Sequence, residues 1–121
     1  MQAIIEKSFE IEEPIDKVWA NLSNPMEVAS CVPGAAITQQ IDETHYKGEV
    51  TLKFGPIKAQ FDGDIEMVEL DSSAYRMVMS GKGLDSKGKG SADMIMNGDL
   101  QSSDKGTNVN FKMTVIIVGT I

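Results

Sequence analysis

The sequence predicts an α+β domain in which a curved, seven-stranded antiparallel sheet carries two short helices after its first strand. Apolar residues recur at three- and four-residue spacing only between residues 14 and 30. Residues 35–118 instead alternate between apolar and polar side chains with a period of two, as strands do. Because 121 residues are the usual size of one domain, we expect a single domain over residues 1–121.

The two predicted helices follow a first strand at residues 2–11. Pro14 ends that strand and suits the first turn of a helix. The apolar face of this helix is formed by Ile15, Val18, Trp19 and Leu22. Pro25 breaks the pattern and begins a second short helix that runs to Ser30, in which Met26 and Ala29 are predicted to face inward.

Six further strands are predicted at residues 35–41, 45–54, 57–70, 75–81, 88–100 and 107–118. Segments rich in Asp, Ser, Gly and Lys separate them, among them a predicted loop at residues 82–87. Successive side chains of a strand point to opposite faces, so the alternation predicts one apolar face and one face in water. Asp62, Asp64 and Glu66 fall on the water-facing side.

Composition and charge exclude several function classes. The net charge is −7 and Arg76 is the only arginine, which argues against a nucleic-acid partner. Cys31 is the only cysteine, so no internal disulfide can form, and residues 1–7 do not resemble a signal peptide. No apolar run approaches the roughly 20 residues of a membrane span. We therefore expect a cytoplasmic protein whose membrane contact is at most peripheral, at the inner face.

Methionines are the strongest functional signal. Six of the eight share the inward parity, and flexible thioether side chains suit an adaptable apolar cavity, although they could equally fill a solid core. We expect an apolar small molecule, a quinone or another lipid, as ligand and no covalently bound cofactor. The predicted cavity-lining residues are Trp19, Met26, Val50, Leu52, Phe54, Phe61, Ile65, Met67, Tyr75, Met77, Met79, Met94, Met96, Phe111 and Met113.

Polar residues offer no convincing catalytic or metal site, and we predict neither. His45 is the only histidine and has no Cys or carboxylate at ligand spacing, so we interpret it as a polar turn residue. Cys31 is predicted to be packed near the cavity rim. Residues 81–90 lack the spacing of a phosphate-binding loop and are predicted to be a hairpin. Of the inward positions, only Tyr46 and Tyr75 could serve an enzyme.

Seven short stretches resemble the family of the carbon monoxide dehydrogenase G protein, an accessory component of that enzyme. They are residues 18–22 (VWANL), 31–35 (CVPGA), 46–48 (YKG), 53–57 (KFGPI), 61–63 (FDG), 81–83 (GKG) and 106–109 (GTNV). This family belongs to the START-like, or SRPBCC, helix-grip superfamily. The resemblance implies a non-catalytic accessory protein of a carbon monoxide dehydrogenase-type molybdenum hydroxylase, acting in its membrane recruitment, its assembly or its electron transfer to quinone.

The resemblance also implies a long C-terminal helix that closes the concave face, and this helix is missing here because the sequence ends at Ile121. An apolar face of several hundred Å² would then be open. We expect a second copy, a bulky ligand or a partner to cover it, unless the chain is a fragment. The alternatives to a carrier are an assembly module without a ligand and a START-like hydrolase or cyclase.

Overall fold

The seven predicted strands and two predicted helices are all present in the computed structural model, which describes residues 2–30 and 34–119 except for the side chains of Leu52, Phe54 and Ile57. The strands are β1 (Gln2–Ile11), β2 (Ala35–Gln40), β3 (His45–Phe54), β4 (Ile57–Asp71), β5 (Arg76–Asp85), β6 (Gly90–Ser103) and β7 (Gly106–Gly119). The helices are α1 (Ile15–Leu22) and α2 (Pro25–Ser30). The predicted α+β fold class is thus confirmed.

One curved antiparallel sheet contains all seven strands, in the order β1-β7-β6-β5-β4-β3-β2. Strands β2 to β7 form a meander in which each strand pairs with the next, and β1 pairs with β7. Since β1 and β2 are the two edges of the sheet, the segment that joins them must cross one of its faces. Helices α1 and α2 lie in this segment and pack on the concave face.

The two faces of the sheet separate as the alternation predicts. On the concave face Met79, Met96 and Met113 are at most 4% exposed and belong to the main apolar core. On the convex face Asp64 and its neighbours Asp62 and Glu66 are exposed. The prediction of one buried and one water-facing side is confirmed, because a side chain changes face at every residue along a strand.

Helix α2 turns a different side to the core from the one predicted. Met26 is 49% exposed, whereas Val28 is 7% exposed and packs in the main core. Each residue of an α-helix advances by about 100°, so a side chain two positions away points to nearly the opposite side. Burying Val28 therefore turns Met26 outward, and the prediction that Met26 faces inward is wrong. None of the helices in the described part of the chain is long and apolar enough to cross a membrane.

The hairpin between β5 and β6 is tighter than predicted. The predicted loop at residues 82–87 is wrong, because Gly83 pairs with Ala92 and Leu84 with Ser91, so that β5 continues to Asp85. The Asp85 carboxylate accepts the backbone N–H groups of Lys87 and Lys89, and these bonds stabilise the short turn. The ends of the other strands lie within a few residues of their predicted positions.

Candidate functional site

An apolar cavity lies between α2 and the concave face of the sheet. Its volume is about 90 Å³, and it is partly open to solvent. Helix α2 contributes Val28 and Ala29 to its wall, and β2 contributes residues 35–37. Strands β3 to β7 contribute Val50, Phe61, Ile65, Met79, Met94, Met96, Met113 and Val115, together with several small residues. We call this space the main cavity.

A row of small residues across the sheet creates the space for the main cavity. Gly48 pairs with Gly63, Gly63 with Gly83, and Gly83 with Ala92, so small residues occupy neighbouring inward positions on four adjacent strands. Gly81 lies two residues from this row on the same face. All five residues line the main cavity. Because these residues carry little or no side chain, the concave face leaves a gap that α2 covers without filling.

A second row, parallel to the glycines, is made of methionines. Met67 pairs with Met79, Met79 with Met96, and Met96 with Met113, across strands β4 to β7. The last three of these side chains line the main cavity. Long unbranched thioether side chains change rotamer easily, so this wall of the cavity can adapt its shape.

A smaller second cavity lies beyond the methionine row, beneath α1. Its volume is about 30 Å³. Helix α1 contributes Trp19 and Leu22 to its lining, and Gly98 leaves the space on β6. The other lining residues are Phe9, Val28, Met77, Met96, Asp99, Leu100, Val109, Asn110 and Phe111. Both cavities therefore lie over glycines of the sheet and under a helix.

This site is found in a chain of a recognised family. The sequence model of the carbon monoxide dehydrogenase accessory family CoxG matches residues 8–121. The chain belongs to the CoxG family. The resemblance inferred from the seven short stretches is thereby confirmed. No significant match to the chain is found among curated proteins.

Several solved structures share the fold of this CoxG-family chain. A conserved protein from Geobacillus kaustophilus has a TM-score of 0.67 and 21% identity, with 98% of this chain and 74% of that one covered. Ara h 8.0201 has a TM-score of 0.56 and 13% identity, with 96% and 79% covered. The Zhui aromatase/cyclase from Streptomyces sp. R1128 has a TM-score of 0.52 and 12% identity, with 100% and 70% covered. At these identities the likeness shows the fold.

The structure brings most of the predicted lining residues of this CoxG-family member into the two cavities. Those in the main cavity are Val50, Phe61, Ile65, Met79, Met94, Met96 and Met113. Those in the second cavity are Trp19, Met77, Met96 and Phe111. Met67 is buried but lines neither cavity, and the exposed Met26 lines neither. The side chains of Leu52 and Phe54, and all of Cys31, lie outside the described part of the chain. A ligand-binding role for the lining residues stays a prediction.

Sequence reasoning missed the small residues of the site. Gly48, Gly63, Gly81 and Gly83 have the inward parity of their strands, and Ala92 has that of β6. A glycine carries no hydrophobic signal, so the alternation of apolar residues passed over it. The signal that could have found them is the repeated occurrence of glycine at inward positions of consecutive strands, which often marks a close approach to a ligand or to backbone.

The charged residues beside the main cavity do not direct their side chains into it. Glu49, Asp64 and Lys82 contribute to its lining, but all three are exposed and occupy positions that point to the convex face. They border the cavity through backbone next to the glycines. Within the described residues no group of three or more His, Cys, Asp or Glu side chains could hold a metal ion.

The two inward tyrosines use their hydroxyl groups in structural hydrogen bonds. Tyr46 donates to the Glu43 carbonyl at 3.2 Å, and Tyr75 donates to the Asp16 carboxylate at 2.6 Å. The latter bond raises the pKa of Tyr75, because the ionised phenol could no longer donate it. The Tyr75 ring also meets the edge or face of Trp19 at 5.8 Å between centroids, which fixes α1 on the sheet. Neither tyrosine lines a cavity.

His45 lies at the exposed turn between β2 and β3, away from both cavities. Its Nδ1 is 2.9 Å from Asp42 Oδ1, and its Nε2 is 3.8 Å from Glu66 Oε1. Asp42 also accepts the backbone N–H groups of Thr44 and His45. The Thr44 bond, followed by the His45 side chain, lowers the pKa of Asp42 to about 2. The same Asp42 carboxylate raises the pKa of His45.

We therefore expect His45 to titrate above its ordinary value of about 6.5, and Asp42→Asn to bring it back down. NMR titration of the imidazole resonances measures both pKa values, with Glu43→Gln as the control for loss of a nearby charge. Because the pKa is higher in the folded state, the His45–Asp42 contact stabilises the fold fully below the unfolded pKa and is lost as the pH rises through the folded pKa. Equal pKa values in wild type and Asp42→Asn would contradict this assignment.

Proposed function

We propose that this chain binds an apolar small molecule, a quinone or a similar lipid, as a non-catalytic accessory protein of a carbon monoxide dehydrogenase-type molybdenum hydroxylase. The observation that supports binding is the main cavity itself, whose lining is almost entirely apolar. A gap over four glycines in the middle of a sheet leaves contacts unmade, and an apolar ligand would restore them. The family name supports the link to the enzyme.

The size of the main cavity favours a narrow apolar group. A cavity of about 150 Å³ holds a benzene ring, so 90 Å³ suits an alkyl or isoprenoid segment, with a quinone ring seated only after the methionines change rotamer. The cavity is partly open, so the rest of a larger ligand can continue outward along the concave face. Each methylene that leaves water for this site contributes about 0.8 kcal/mol to binding.

Such a ligand supplies the functional part of the proposal. A lipid-soluble quinone is held in the membrane, and the protein would carry it to or from the redox enzyme, either delivering electrons or recruiting the enzyme to the membrane. The net charge of −7 opposes tight binding to an anionic bilayer, so we place any membrane contact at a peripheral and transient level.

The proposal is tested by titrating the wild-type chain with decylubiquinone and following the fluorescence of Trp19, the only tryptophan. We expect saturable binding. We expect Gly81→Leu to weaken it by roughly tenfold or more, since the new side chain takes the place of several ligand carbons. A Cβ at Gly81 meets only the Met94 methyl, at 3.0 Å, within 3.4 Å, so the leucine can enter the main cavity without moving backbone.

The matched control is Ser80→Leu, which adds the same side chain at the neighbouring position on the convex face. Its affinity for decylubiquinone should equal that of wild type. Two results would count against the proposal: a wild-type protein that shows no saturable binding, or equal affinities for Gly81→Leu and wild type.

A further inference from the structure

Two residues belong to the walls of both cavities. Val28 of α2 and Met96 of β6 line the main cavity and also the second cavity. Met96 is 2% exposed and Val28 is 7% exposed, and both belong to the main core cluster. The two spaces are therefore adjacent, and these two side chains form the partition between them.

The register of the sheet explains why the partition lies at Met96. The main cavity lies over the glycine row, and the second cavity lies over Gly98. Met96 is two residues before Gly98 on the same strand, in the methionine row between these gaps. A methionine at this position is long enough to reach α2, where Val28 faces the sheet. Removing its outer atoms would join the two gaps into one channel.

We propose that Met96, packed against Val28, sets the length of apolar chain that this protein accepts. The inference rests on the proposed function, because it concerns a ligand of the main cavity. A chain that enters from the open side of the main cavity ends at the methionine row. The space beyond it, beneath α1, is reached only when the Met96 side chain is displaced or shortened.

Trp19 makes this inference directly measurable. It lines the second cavity and does not line the main cavity, and it is the only tryptophan in the chain. Bromine quenches indole fluorescence only on contact. A bromine atom at the end of an alkyl chain therefore reports whether the chain end has passed Met96.

The experiment uses alkan-1-ols of increasing length that carry a terminal bromine, titrated into wild type and Met96→Ala. In wild type we expect affinity to rise about fourfold per methylene until the main cavity is full, with Trp19 left unquenched. In Met96→Ala the limit should shift to chains about three methylenes longer, since three heavy atoms are removed, and these chains should quench Trp19.

Two further variants make the result specific. Val28→Ala shortens the other side of the partition and should also allow quenching, and it replaces Met96→Ala as the test if the latter does not fold. Met67→Ala is the matched control, because Met67 is buried in the same methionine row and lines neither cavity. Circular dichroism verifies that each variant is folded under the conditions of the titration.

The outcomes separate this inference from the proposed function. Longer accepted chains and quenched Trp19 in the partition variants, but not in Met67→Ala, support it. An unchanged length limit in folded partition variants, or quenching of Trp19 in wild type, overturns the role of Met96 and leaves the proposed function standing. A wild-type protein that binds no member of the series overturns the proposed function as well.

Discussion

Replacing Gly63 with alanine is expected to lower the free energy of unfolding by about 3 kcal/mol, the upper end of the usual cost of overpacking. A Cβ at this position would lie 2.5 Å from Gly83 Cα and closer still to the Lys82 carbonyl oxygen. Both are backbone atoms of the neighbouring strand and cannot rotate away. Strands β4 and β5 would have to separate where they form the floor of the main cavity.

Urea unfolding followed by circular dichroism measures this loss, with Gly81→Ala as the matched control. A Cβ at Gly81 meets the terminal methyl of Met94 at 3.0 Å, and that group can move at small cost. We expect Gly81→Ala to change stability by less than about 1 kcal/mol. Equal unfolding midpoints for the two variants would show that the close approach at Gly63 is not a constraint on the fold.

The largest loss from a single truncation is expected at Phe61. Its side chain is 2% exposed and belongs to the main core, where it also lines the main cavity. Phe61→Ala removes the ring and leaves a void that α2 can close only in part, so we expect the unfolding free energy to fall by about 3–5 kcal/mol. For a domain of this size that is a large part of the total stability.

Ile95→Ala is the control for this second prediction, because Ile95 is a large apolar residue of the same sheet that is 52% exposed on the convex face. It should lose less than about 1 kcal/mol in the same urea experiment. If Phe61→Ala lost no more stability than Ile95→Ala, the main core could not be centred on the concave face.

The fold could be predicted from the sequence because strand parity and helical spacing survive in it almost undisturbed. Residues such as Met79, Met96 and Met113 follow the period of two, so their burial was foreseeable. The parity fails where the pairing shifts between Met67 and Glu69 and leaves Val68 57% exposed. An extra residue of this kind reverses the faces locally and has no signature in composition.

The candidate site was only half predictable for a similar reason. Parity shows which face a side chain occupies, and it identified Phe61, Met94 and Met113 as inward residues. It does not show how far apart the two layers lie, so neither the cavity volume nor its division at Met96 could be derived. The Gly- and Lys-rich end of β5 carries almost no strand propensity, and its pairing with β6 decided its conformation.

The glycine row has a consequence for how binding preference can change in such a protein. The shape of the main cavity is defined by atoms that are absent, so its volume can be reduced one carbon at a time without touching a polar contact. Gly81 tolerates added atoms because only the end of Met94 opposes them, whereas Gly63 does not. Ligand selection can therefore be graded along β5 while the seam between β4 and β5 stays fixed, and a new preference does not require a new fold.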